Sequence, residues 1–322
     1  MKRKSWAALC ALLAALAMLL GGCASPAEEQ TQQVASTQIY ASFYPVYMMA
    51  RPILKDAPGI ELHCLVQPQD GCLRNYSLSD WDARLASGAD GLIVAGEGLE
   101  SFEGWALSLG EEGPAVMRVY DGVSLLGERL ETEASDEDIS HFEGLNPWAW
   151  LSVEGAKAMA ESITGMMGEL DSDYAHLYEE NFSAYSKTLD ELSLQMDEIM
   201  AGYRYQKVVL MHEGLEYMAQ ELGLNSVLTI EREPGEQMEG EELTELVGQI
   251  NESGAKILLA EKQLPTAFKQ ALEEAGFRLA LIDTFSTHST AAQQDDYQTT
   301  MLENVRQIVQ ASQGLPAGSF EE

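Results

Sequence analysis

The chain is predicted to be an α/β protein with two parallel-sheet lobes joined by one long helix, and three observations carry that reading. Short runs rich in Val, Ile and Leu alternate with segments whose apolar residues recur every three or four positions, and strands alternating with helices imply right-handed crossovers and parallel pairing. Between two such stretches, from Asp173 to Met200, the residues Tyr174, Tyr178, Phe182, Tyr185, Leu189, Leu192, Met196 and Ile199 mark one apolar stripe along a helix of about seven or eight turns. In the second stretch, His212, Glu261 and Asp283 each follow a separate strand, the positions that gather at the carboxyl edge of a parallel sheet, where ligands bind.

Taken in order, the chain opens with Lys2, Arg3 and Lys4, an apolar run and two small residues before Cys23, the layout of a bacterial secretory leader. Leu20-Gly21-Gly22-Cys23 also fits a lipoprotein cleavage box in which Cys23 becomes the lipidated first residue. The apolar core is short for a membrane span. Residues 1–22 therefore read as a signal peptide and 23–37 as a polar tether. About 300 residues remain, enough for two lobes with separate cores: an N-terminal lobe over 38–170, a linking helix over 171–201 and a C-terminal lobe over 202–322. The formal charge of −33 makes nucleic acid an improbable partner and suits solvated faces or a cationic ligand. Outside the leader and the cleavage box the cysteines are Cys64 and Cys72, which read as a disulfide permitted by export, as two free thiols, or, for Cys72, as a metal ligand.

Gln38 to Phe43 reads as a first strand, Val46 to Leu54 as a helix and Ile60 to Val66 as a second strand. Ser79 caps a short helix to Ala86, with Asp82 three residues on. Gly91 to Ala95 is a buried strand and Val116 to Tyr120 is another strand, followed by an acidic loop that contains His141. Ser152 caps the next helix, whose start Gly155 weakens. A helix of the length predicted over 173–200, set between two α/β stretches, is a shared spine on which both lobes pack. Beyond it come strands at 208–210, 226–230, 256–260 and 278–282, separated by helices at 215–222, 243–252 and 266–275, with a closing helix over 294–312. The stretch from Lys207 to Leu224 is the clearest strand, turn and helix, and it sets His212 at the strand's carboxyl end. That histidine either caps the helix or bonds a neighbouring carbonyl, the ordinary uses, or serves as a ligand.

Several pieces in this order resemble the cluster A-I substrate-binding lipoproteins, the zinc or manganese receptors of bacterial ABC importers: ASFYPVYMMA, LVQP, GEGLESF, NPWAWLSVEGAKAMA, MHEGLEYMAQELGL, KILLAEKQ and LIDTF. The resemblance implies two α/β lobes on a rigid helix with a metal between them. It also implies partnership with a permease and an ATPase, a lipid anchor on the cell membrane and a monomeric state. His212 stands at one of the family's ligand positions and Asp283 at another, while the two first-lobe histidine positions hold Arg74 and Trp148. Glu261, Cys72, Glu213 and His141 are nearby substitutes for the lost donors, and an ion pair of Arg74 with Asp283 is an equally good use of both. The expectation is capture of zinc or manganese between the lobes. The alternative is a degenerate paralogue that takes a non-metal ligand, with Arg74 as clamp and Trp148 as aromatic wall, or acts as an accessory or adhesive surface protein. No nucleophile elbow, HExxH, Walker loop or dinucleotide-binding glycine pattern points to an enzyme.

Overall fold

The computed structural model describes residues 36–68, 76–127, 145–230, 236–286 and 297–315. Residues 1–35, which include Cys23, and Cys72, Arg74 and His141 lie outside the described residues. Residues 36–322 form one compact unit.

In the first half, β1 (Thr37–Phe43), β2 (Ile60–Val66), β3 (Gly91–Val94) and β4 (Ala115–Arg118) make a parallel sheet of order β2-β1-β3-β4. Helices α1 (Tyr44–Ile53), α2 (Asp80–Ser87) and α3 (Glu103–Ser108) follow the first three strands. Ser79 caps α2 as predicted: its Oγ accepts from Asp82 N at 3.2 Å while the Asp82 carboxylate takes Ser79 N at 3.3 Å. The α3 helix and a two-residue antiparallel pair, β5 (Leu126–Gly127) with β6 (Leu145–Asn146), were not legible beforehand, because neither is long enough to show a period.

Helix α4 (Val153–Leu170) begins at Ser152, whose Oγ accepts from Gly155 N at 3.0 Å. The glycine is a requirement there and not merely a weak helix former: a Cβ on it would sit 2.1 Å from Ala149 O. The spine is α5 (Ala175–Met200); it buries Tyr178, Leu189, Leu192 and Met196 of the stripe read from the sequence, together with Met200, while Phe182, Tyr185 and Ile199 are partly buried against the same cluster. Asn181 on its outer turn donates to Ile53 O and Lys55 O, both at 2.9 Å, and so closes the carboxyl end of α1.

The second half repeats the design. β7 (Lys207–Leu210), β8 (Asn225–Thr229), β9 (Ile257–Glu261) and β10 (Arg278–Ile282) form a second parallel sheet of order β10-β9-β7-β8. The helices are α6 (Leu215–Glu221), α7 (Gly240–Ser253), α8 (Thr266–Glu274) and α9 (Tyr297–Gln313), the last packing on both β10 and the spine. No described helix is long and apolar enough to cross a membrane.

Separate cores were expected for the two halves, and the packing differs. Val208, Leu210, Ile257, Leu259, Ala280 and Ile282, on one face of the second sheet, join the first sheet, α4 and the spine in a single buried cluster. Alternate residues Val209, Leu258 and Leu279 face the other way, into a smaller cluster with Phe268 and Leu272 of α8. The reason is the chain of helices between them: the spine packs on α1 and α4 of the first half and on α9, and α9 covers β10, so one apolar cluster runs through both halves.

Candidate functional site

Both strand orders reverse direction once, between β1 and β3 and between β7 and β9, and the carboxyl ends flanking such a reversal frame a crevice. In the first sheet that crevice is filled from within. Glu100, 2% exposed, turns its carboxylate back to accept from Ser42 Oγ at 2.6 Å, Ala95 N at 2.6 Å and Gly96 N at 3.2 Å. Burial pushes this carboxyl up to about 7, against the lowering effect of the same three donors.

In the second sheet the reversal brings the ends of β7 and β9 side by side, with His212 beyond one and Glu261 closing the other. His212 is buried, and its Nδ1 accepts a hydrogen bond from Gly214 N at 3.0 Å. An imidazole that accepts at Nδ1 carries its proton on Nε2 when neutral, so the ring offers a donor there instead of the lone pair that a metal needs. Glu261 Oε1 accepts from Thr284 Oγ1 at 3.1 Å. Asp283, with no exposed surface, is held on several sides: its Oδ1 accepts from Phe285 N at 2.9 Å, and its backbone exchanges two bonds with the Asn304 amide at 2.8 and 2.9 Å. Its Oδ2 meets Lys262 Nζ at 3.4 Å.

The first half contributes the NPWAW loop. Asn146 accepts from Trp148 N at 3.2 Å and donates to Glu213 O at 2.9 Å, and Asn146 O takes the Tyr217 hydroxyl at 2.7 Å. Tyr217 in turn accepts from Leu126 N at 2.8 Å, so the short β5-β6 pair and the turn after β7 are sewn together. This loop sends the Trp148 ring onto His212, edge to face, with centroids 4.5 Å apart. Trp148 also lies against Trp150, at 5.0 Å, and Trp150 Nε1 donates to Thr284 O at 2.9 Å. The indole Nε1–H of Trp148 is buried without an acceptor among the described residues, a cost of about 1–3 kcal/mol that points to a site shaped by more than packing.

Of the residues singled out from the sequence, the structure thus brings together Trp148 with His212, and Glu261 with Thr284 beside Asp283. The two groups are linked through Trp150. No group of three His, Cys, Asp or Glu side chains poised to hold an ion occurs among the described residues. Lys262 was not anticipated as a cleft residue, although its place directly after Glu261 was the available signal. Cys64 is a free thiol, half-buried, whose Sγ–H donates to Val66 O at 3.2 Å; burial pushes it up to about 12. Its partner in the disulfide reading, Cys72, lies outside the described residues. A cavity of about 640 Å³ opens elsewhere, beside Arg51, Lys55 and Tyr185, and shares no residue with this cleft.

Comparison with known proteins places this architecture. The chain is 23% identical over 310 residues to the zinc-binding lipoprotein AdcA of Streptococcus pneumoniae, an alignment that covers 94% of this chain and 60% of that protein's length. Among solved structures, a mutant of FpvC from Pseudomonas aeruginosa superposes with a TM-score of 0.71 at 21% identity, over 86% of this chain and 99% of that one. The Zn(II)-bound ZnuA-like domain of S. pneumoniae AdcA superposes with a TM-score of 0.70 at 19% identity, over 86% and 98%. The family model described as zinc-uptake complex component A, periplasmic, matches residues 39–311, and the chain belongs to that family.

Proposed function

We propose that the protein is the extracytoplasmic receptor of an ABC metal importer, anchored by lipid at Cys23, that captures a divalent cation of the zinc and manganese class and passes it to permease and ATPase subunits. The observation that carries this reading is the placement of His212 and Asp283 at the carboxyl edge of the second sheet, where His212 meets Trp148 of the NPWAW loop from the first half, within a chain of the zinc-uptake family. Membership supports it, as does the zinc named for AdcA. The receptor role needs no catalytic group, and the site chemistry described above is that of binding.

A second reading is favoured by the contents of the cleft: a paralogue that keeps the scaffold and takes a non-metal ligand. Trp148 fills space against His212, the imidazole holds its proton toward Nε2, and Asp283 already faces a lysine ammonium. Elemental analysis of the purified protein, with calorimetric titration of zinc and of manganese after chelation, decides between the two. Saturable binding near one ion per chain sustains the metal receptor. Absence of binding for both ions overturns it in favour of the paralogue.

A further inference from the structure

The carboxylate of Asp283 has no exposed surface, and removing such a charge from water costs several kcal/mol unless a cation or strong donors face it. Phe285 N and the ammonium of Lys262 do so here, at 2.9 Å and 3.4 Å. Lys262 is well placed for a reversible contact. Its backbone is fixed, since Lys262 N donates to Ile282 O at 3.0 Å and continues the β9-β10 ladder, whereas its side chain retains 25% of its exposure. A four-carbon stem anchored at the sheet edge can hold its ammonium on Asp283 or carry it into solvent without disturbing the strand.

We propose that Lys262 is the resident counter-ion of the cleft, occupying Asp283 when no cargo is bound and competing with the cargo cation for that carboxylate. This inference rests on the metal-receptor reading above. Its physical content is an exchange: one ammonium leaves Asp283 for water as one divalent ion arrives, so the buried carboxylate faces positive charge throughout. The apparent affinity for metal is lowered by the fraction of molecules in which the lysine holds the site. A divalent ion brings more charge to the carboxylate than the ammonium does, while a monovalent ion brings no excess over it. Lys262 is on this account a specificity-determining residue that sets a threshold concentration for capture.

The test uses the metal-free protein and the variants K262M, D283N and the double variant. Thermal unfolding without metal should show that K262M and D283N are non-additive, since each removes the same pair. Titration of zinc and manganese should show K262M binding at least about tenfold more tightly than the native protein. An additive cycle overturns the counter-ion assignment. Coupling in the cycle with equal metal affinities for the native protein and K262M overturns the competition. Binding of neither ion by either protein overturns the metal reading itself, and the cycle still reports separately whether Lys262 and Asp283 act as a pair.

Discussion

The Trp148 indole meets the His212 imidazole edge to face at 4.5 Å, in space that exists because residue 214 has no side chain. A Cβ on Gly214 would stand 2.5 Å from Trp148 Cγ and 3.0 Å from His212 Nδ1. Gly214→Ala should therefore force the indole off the imidazole, at a cost of about 1–3 kcal/mol in unfolding free energy. The backbone at 214 is right-handed and accepts alanine, so the loss should shrink when Trp148 is first replaced by Leu, leaving the milder contact with His212 Nδ1. Denaturant unfolding of the single and double variants measures this.

The resemblance implies that Arg74 and Trp148 stand at two histidine positions of the family, and this sets the expectation for metal affinity. With His212 and Asp283 as the matching ligands, the native protein should bind zinc far more weakly than a site with four ligands, since even a change in the outer shell costs about 10–100-fold. Arg74→His together with Trp148→His should raise zinc affinity strongly, and adding His212→Ala should abolish the gain. Calorimetry on the three proteins reads it; nanomolar zinc binding by the native protein would contradict the expectation.

Glu221 of α6 ties the halves by electrostatics. Its Oε2 accepts from Val153 N at 2.7 Å, at the amino end of α4, yet burial, with Glu154 and Asp197 nearby, pushes its carboxyl up to about 7. A carboxyl raised in the folded state is charged at a cost. That cost is absent below the unfolded value near 4.5, grows as pH rises, and is complete above about 7. Stability should therefore fall between about pH 4.5 and 7, by roughly 1–3 kcal/mol from this group. Glu221→Gln should flatten that part of the pH profile, and the slope that remains belongs in part to Glu100, raised in the same direction.

Cys64 should be silent toward alkylating reagents in the folded protein at pH 8, because the thiolate is the reactive form and burial pushes this thiol up to about 12. In denaturant without reductant it should react if it is free, as it stands among the described residues. Loss of that reaction, restored by reductant, would establish the disulfide with Cys72 instead.

Much of the fold was legible because its signals are local. The strand spanning Arg278–Ile282 and the stripe from Tyr178 to Met196 announce themselves through a short apolar run and a helical side-chain period, which depend on residues within a turn or two. The parallel-sheet rule then located His212, Glu261 and Asp283 at one edge, since that inference needs only the order of strands and helices. What each of those side chains faces was decided by tertiary structure alone. Trp148 reaches His212 from the other half of the molecule, and Lys262 crosses from one strand end to the next to reach Asp283. The need for glycine at 155 and 214 likewise comes from Ala149 and Trp148 approaching them, and no periodicity encodes an approach. Local hydrogen bonding and burial dictate the elements of this chain, whereas the contents of its cleft follow from close packing between residues distant in sequence.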